Sequence, residues 1–209
     1  ESWPGERRVA AIPESVEKLR ALGFDVRLQR GAGAAAGFED AAYTALGAEV
    51  VDDVAAALDA DVVLKVRPPS VAEAEALREG SVLVSLIQPE RNPDLEAILV
   101  RRKISAIALE RIPRTTRAQK MDVLSSTANL AGYRAVIAAA EHYQGSFGAQ
   151  VTAAGTLPPA KVLVIGAGVA GLAAVATARA LGGEVRAFVR KLRWGPTVAL
   201  DGASRRGFM

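Results

Sequence analysis

The sequence has no cysteine and a single histidine, His142, among its 209 residues. The first absence excludes a disulfide framework and thiolate metal sites and fits a reducing compartment. The second leaves no material for a histidine-based metal centre or a Ser-His-Asp triad, and His142 itself reads as a partly exposed helix residue. Aromatic residues make up 5% of the chain, and neither sign of charge dominates: 26 Lys and Arg stand against 23 Asp and Glu, a net charge of +3. The basic surplus gathers after Arg186. A nucleic-acid-binding face needs clustered cations with aromatic or groove-entering elements, and the mixed body of the chain offers none, so no nucleic-acid partner is expected. No repeat of fixed period and no low-complexity tract is present, which excludes a solenoid. The chain opens on Glu1 with no basic-then-apolar leader behind it. The expectation is a sequence whose natural start is missing and that carries no signal peptide.

What is present is apolar material, half of all residues, enough to bury a sizeable core. The run Val162 to Leu181 is long and apolar enough to raise a membrane span, but its glycines and the change from a β-branched to an alanine-rich composition argue for a strand, a turn and a helix. A soluble chain without a span is expected. Before it, helical and strand periods alternate across short turns, the pattern of a parallel sheet with crossover helices. Pro13 opens a helix with Val16, Leu19 and Leu22 on one face, and Gly23 stops it. Strand "DVRLQ" follows, then a helix over 39–46, a short strand over 49–51 and a short helix over 54–58. "DVVLKV" reads as a buried strand, "SVAEAEALREG" as a helix, "SVLVSLI" as a strand, "NPDLEAILVRRK" as a helix and "ISAIALE" as a strand. The polar loop "RIPRTTRAQKM" breaks the pattern, a long helix runs from Asp122 to about Tyr143, and "GTLPPAK" reads as a loop. The fold class expected is α/β with two Rossmann-like parallel-sheet domains, the second incomplete. Residues 1–121 form a Rossmann- or flavodoxin-like domain and 122–160 a linking helix and loop. The start of a dinucleotide-binding domain occupies 161–191, and 192–209 is irregular.

Gly166-Ala167-Gly168-Val169-Ala170-Gly171 is G-x-G-x-x-G directly after a strand and opening a helix. Gly166 permits the tight turn, Gly168 lets a pyrophosphate approach the backbone, and Gly171 lets helix and strand touch; the N–H groups at the helix start, Val169 first among them, face the phosphates. The bland alternative is a glycine turn used only for packing. A ribose-binding acid belongs about 20 residues beyond the first glycine, where Val189 stands. Arg190 and Lys191 can instead favour a 2′-phosphate, or an acid has been lost. The disappearance of helical and strand periods immediately afterwards favours loss, and weak or no binding of a dinucleotide by the 209 residues alone. The polar groups Arg114, Arg117, Gln119, Asp122, Ser125, Ser126 and Asn129 have two readings. Asp122 can cap the helix that follows and Ser125 can back-bond to its first turn, or the group can grip a polar ligand beside a domain junction. Lys65 and Arg8 lie where strand ends of an open sheet point into a cleft, against the plain reading of solvated surface charges.

"PGERRVA", "LKV", "LIQPERNPDL", "PRTTRAQKMDVLSSTANLAGYRAV", "AAGTLPPAKVLVIGAGVAGLAA" and "GGEVRAF" together resemble the NAD(H)-binding part of the alpha subunit of proton-translocating NAD(P) transhydrogenase, over Pro4 to about Arg190. The resemblance implies that Arg114, Gln119, Asp122 and Ser125 surround the nicotinamide end of NAD(H), while Gly166, Gly168, Val169 and Gly171 hold the pyrophosphate. It implies NADP(H) on a partner domain, a membrane domain and NADP-binding beta subunit as partners, a homodimer, and a place at the cytoplasmic face of the inner membrane in the intact complex. "RAFVRK" departs from the family by one apparently lost acidic residue, and the stretch from Leu192 resembles nothing in it. Two other functions stay open. An alanine-dehydrogenase-like oxidoreductase shares the arginine of "ERRVA" and the lysine of "LKV" but carries a histidine where Leu86-Ile87-Gln88 stand here; an inactive truncated fragment is the other. Oxidative deamination moves protons and calls for a group titrating near neutral pH. Hydride transfer between two nicotinamides does not, which favours transhydrogenase.

Overall fold

The computed structural model describes residues 3–188 and the short strand Ala199–Leu200. The chain forms two compact units, Glu1–Met121 and Asp122–Met209.

In the first unit, Pro13 at the first helical position and Gly23 at φ +91° bracket helix α1, Pro13–Ala21; proline lacks the N–H that a helix start leaves unbonded, and glycine tolerates the left-handed turn that ends it. Val16 is fully buried, but Leu22, expected on the same face, lies beyond the helix end and is 75% exposed. Strands β1, Arg27–Gln29, and β2, Glu49–Val51, pair in parallel, joined through α2, Asp40–Thr44. After α3, Val54–Leu58, strands β3, Val62–Leu64, β4, Val82–Ser85, and β5, Ser105–Ala108, form a parallel sheet in the order β3-β4-β5, with α4, Val71–Ala76, and α5, Pro93–Arg101, as crossovers. The main core packs Leu58, Val63, Leu77, Leu83, Leu95, Ile98 and Leu99 together. The expectation of a wholly buried β3 is corrected: Val63 is buried, but Val62 and Leu64 are 40% and 39% exposed, since β3 ends its sheet and its side chains alternate between two faces.

The second unit starts with α6, Val123–His142. An antiparallel hairpin of β6, Gln150–Thr152, and β7, Gly155–Leu157, follows. Its second strand takes 155–157 of the loop expected over 155–161, while 158–160 remain a loop; three-residue strands are too short to imprint an alternating pattern. Parallel strands β8, Lys161–Ile165, and β9, Glu184–Phe188, flank α7, Val169–Ala180. The apolar run from Val162 to Leu181 is thus divided between β8 and α7, and no described helix is long and apolar enough to cross a membrane. Val136, Ala178 and Val185 form the core, with Val162, Val164, Ala174 and Val175 against it. Of the 192–209 stretch, Ala199–Leu200 is described: it pairs antiparallel with Phe188 and Ala187 of β9 as β10. Val189, Arg190 and Lys191, on which the ribose readings rest, lie outside the described residues.

Candidate functional site

The glycine turn sits between β8 and α7. Gly166 adopts φ +106°, a conformation that glycine reaches without strain. Its N–H is held by Phe188 O at 2.8 Å, so the turn begins on a fixed ladder bond to β9. Gly171 is wedged: a Cβ there would overlap Gly166 O and lie 3.7 Å from Val164 Cγ1. Gly168 is the opposite case, with nothing within 4 Å of the position its Cβ would take. It is the N-cap of α7 and contributes no side-chain cap, and the first intrahelical bond runs from Leu172 N–H to Gly168 O at 2.9 Å. The N–H groups of Val169, Ala170 and Gly171 therefore precede the helical ladder, at the positive end of the helix dipole. A backbone open to solvent with clustered donors fits an anion such as a pyrophosphate.

Asp122 and Ser125 come together at the start of α6. Asp122 Oδ1 accepts from the Ser125 N–H at 2.9 Å and Oδ2 from the Ser125 hydroxyl at 2.7 Å, while the Ser126 hydroxyl donates to Asp122 O at 3.1 Å. Both side chains are half-buried. The pair caps the helix, and a carboxylate at a helix N-terminus is also favoured by the dipole. Arg114 and Gln119 belong to the first unit, Gln119 within the 3-10 turn Thr116–Met121, and both are exposed. Arg117 is exposed in the same turn, and Asn129 is exposed on α6.

Arg8 and Lys65 are not solvated lone charges. Glu6, whose side chain is 5% exposed, accepts from Arg8 Nε and Nη2 at 2.7 Å each, from the Arg8 N–H at 3.0 Å and from Arg67 Nε at 2.7 Å. The Arg8 guanidinium, aided by its N–H and by Arg67, lowers the Glu6 carboxyl from its usual 4.5 to about 2 against the opposing effect of burial. Lys65 donates to Glu73 Oε1 at 2.7 Å, the side chains being 9% and 14% exposed. Glu73 Oε2 also accepts from the Ser70 N–H at 2.8 Å, closing a capping box on α4. Just beyond β4, Glu110 accepts from the N–H groups of Ile87, at 3.1 Å, and Gln88, at 2.6 Å, and Gln88 is held at φ +49°. Glu6, Arg67, Glu73 and Glu110 escaped the reading of the sequence. Only Glu73 left a signal there, the Ser-x-x-Glu spacing of the capping box. A cavity of about 760 Å³ opens in this unit, lined among others by Leu28, Val63, Lys65, Glu73 and Arg78. Among the described residues no group of three or more His, Asp or Glu is placed to hold a metal ion.

Comparison with known proteins matches residues 1–131 to "Alanine dehydrogenase/PNT, N-terminal domain" and residues 135–194 to "Alanine dehydrogenase/PNT, C-terminal domain". The chain is 51% identical over 189 residues to NAD(P) transhydrogenase subunit alpha of Cereibacter sphaeroides, covering 90% of this chain and 36% of that one. Among solved structures, transhydrogenase from Sinorhizobium meliloti superposes with a TM-score of 0.86 at 50% identity, over 90% of this chain and 56% of that one. An L-alanine dehydrogenase superposes with a TM-score of 0.77 at 30% identity, over 90% and 52%. The chain thus spans between about a third and a half of the curated transhydrogenase subunits it matches. With both family domains matched in order along the chain, and the transhydrogenase fold shared over nine-tenths of it, the chain belongs to the alanine dehydrogenase/PNT family.

Proposed function

We propose that the chain is the NAD(H)-binding part of an NAD(P) transhydrogenase alpha subunit, supplying the site from which hydride passes to NADP⁺ on a partner subunit, in a complex that couples this transfer to proton translocation. The observation that carries the reading is the uncapped start of α7 behind the unobstructed backbone of Gly168. Val169, Ala170 and Gly171 would hold the pyrophosphate by their N–H groups. Arg114, Gln119, Asp122 and Ser125 would surround the nicotinamide end, whose ring supplies the hydride when NADH is bound. The work left to the protein is to orient that ring and exclude water. No titrating acid or base is needed, in keeping with Leu86-Ile87-Gln88 in place of a histidine. The beta subunit with its NADP(H), the membrane domain, a second copy of the chain and the cytoplasmic face of the inner membrane complete the proposal.

The 30% identity to an alanine dehydrogenase supports a second reading, amino-acid oxidation. The pairing of Arg8 with Glu6 and of Lys65 with Glu73 weighs against it, because a carboxylate substrate would have to compete with two carboxylates already in place.

Titration of the chain with NADH, followed by nucleotide fluorescence, tests the proposal. Weak saturable binding is expected, reduced at least about tenfold in Gly168→Val, since a side chain there blocks the approach to the backbone and forfeits at least one phosphate hydrogen bond. The thermal midpoint should fall only slightly, because the space around Gly168 is open and the cost is that of a poorer N-cap residue. Absence of saturable binding both in this chain and in a variant with an Asp inserted between Phe188 and Val189 would remove the pyrophosphate site. Tight binding of NADPH in preference to NADH would make Arg190 and Lys191 a recognition device and reverse the cofactor assignment. Oxidation of NADH driven by pyruvate and ammonia would favour the dehydrogenase.

A further inference from the structure

We infer that Gly132, in the middle of α6, is a positioning residue for the nucleotide site: it sets how closely α6 approaches the first turn of α7 and so fixes the N–H groups that meet the pyrophosphate. The inference rests on the nucleotide reading above and assigns Gly132 no contact with the ligand.

Gly132 is buried where α6 packs on α7. A Cβ built on it would overlap Ala170 O and lie 2.8 Å from Ala170 C and 3.0 Å from Ala170 Cα. All three atoms are backbone, so no rotamer change relieves the overlap, and a methyl group requires one helix to move by something of the order of 1 Å. Ala170 is the fifth residue of the G-x-G-x-x-G turn and the second of α7. On the strand side the same helical turn is stopped by Gly171, which sits against Gly166 O and Val164. The first turn of α7 is therefore clamped between two side-chain-free contacts. Gly171 carries one, inside the nucleotide motif; Gly132 carries the other, 34 residues before Gly166. A displacement imposed from α6 cannot be absorbed by a retreat toward β8 and must tilt or shift the donors of Val169, Ala170 and Gly171. Binding groups misplaced by about 1 Å lose most of their benefit. The contact has a second consequence, because Asp122, the N-cap of the same helix, and Ser125, in its first turn, lie roughly 15 Å and 10 Å from Gly132 along its axis. Gly132 thus ties the spacing of the nicotinamide-end candidates to that of the pyrophosphate turn.

The test compares the affinities of the wild-type chain and three variants for NADH and for ADP, by calorimetry, with thermal midpoints recorded alongside. Gly132→Ala is expected to lose at least about tenfold in affinity for both ligands. Val136, one helical turn further along α6 and buried against the same core, provides a wedge and a cavity at one position. Val136→Ile presses the helices apart and should weaken both ligands by a smaller factor. Val136→Ala lowers the thermal midpoint by opening a cavity but should bind as the wild type does. If Gly132→Ala fails to fold, the two Val136 variants decide alone. Wild-type affinity in Gly132→Ala, or in Val136→Ile, overturns the inference while leaving the nucleotide reading standing. So does a loss in all variants that merely follows their thermal midpoints. The comparison is made in parallel on a background with an Asp inserted between Phe188 and Val189; if neither that chain nor the wild type binds either ligand, the nucleotide reading itself fails, and the inference with it.

Discussion

The two units build parallel strands in the same way and then treat the ends of those strands in opposite ways. In the first, the charges beyond β3 and β4 are consumed internally: Lys65 by Glu73, Arg67 and Arg8 by Glu6, and the N–H groups of Ile87 and Gln88 by Glu110. In the second, the turn beyond β8 has no side-chain cap, and the space beside Gly168 is open. Carboxyl ends of parallel strands are where α/β sheets present ligand sites. On the proposed function, a first unit that meets its own polar demands there would serve as a scaffold, and one that leaves donors at a helix start would serve as the receptor. The cores differ to match. The first unit interdigitates Leu and Ile side chains, whereas the second brings backbones close through Gly132 and Gly171, so that geometry at the turn is set by main chain rather than by adaptable side chains.

Three perturbations break or sharpen that contrast. The largest effect is expected from Glu73→Gln, which keeps a side-chain acceptor for the Ser70 N–H but leaves the buried Lys65 ammonium without its counter-charge. Loss of one member of a nearly buried pair should cost about 3 kcal/mol in a denaturant melt. A loss below about 0.5 kcal/mol would mean that water reaches Lys65 and that the strand end is less closed than its burial indicates. Next comes acid. Glu6 is lowered from 4.5 to about 2, so its contribution is present above its unfolded value and is lost as pH falls through the folded one. Unfolding free energy should drop by about 2 kcal/mol between roughly pH 5 and pH 2. Glu6→Gln should flatten that part of the profile, and an unchanged acid limb would assign the loss to other carboxylates. The smallest effect is expected for Lys103→Ala. Its pair with Glu79 at 2.8 Å is solvated, with the side chains 76% and 62% exposed, and double-mutant analysis should return no coupling beyond the error of the measurement. A larger value would extend the closed charge network to the surface.

Which of these features a sequence can announce follows from how far their causes reach. Pro13, Gly23 and the Ser70-x-x-Glu73 spacing act within one turn: α1 starts and stops close to where Pro13 and Gly23 imply, and α4 starts directly after Ser70 but ends at Ala76, short of the expected end at Gly80. The G-x-G-x-x-G turn is equally local, and Gly166 has the positive φ that its place requires. The β3 run reads as buried throughout because an apolar string carries no record of whether its strand has neighbours on both sides. Glu73 shows its capping role in the sequence but not its grip on Lys65, since that depends on where β3 delivers the lysine. Glu6 and Arg67 meet across 61 positions, beyond the reach of any periodicity. Gly132 stands in an alanine-rich helix with nothing to mark it, because the reason for its lack of a side chain is the carbonyl of Ala170 on another helix. At the candidate site, the cap by Asp122 is a local reading that the structure displays directly, whereas the back-bond expected of Ser125 is made by Ser126, and the Ser125 hydroxyl donates to the Asp122 carboxylate instead.

The charge pairs of the first unit also differ in the order in which a folding chain can make them. Lys65 and Glu73 are separated by 8 positions and Glu6 and Arg67 by 61. Loop closure grows costlier with the logarithm of length, which places the second contact about 2 kcal/mol behind the first in chain entropy alone. The Lys65–Glu73 contact joins the end of β3 to the start of α4 and can form with that local β-α segment, before the sheet is complete. The Glu6 contact has to wait until the N-terminal residues return to the sheet, and so acts as a late seal on a unit whose crossovers are already in place.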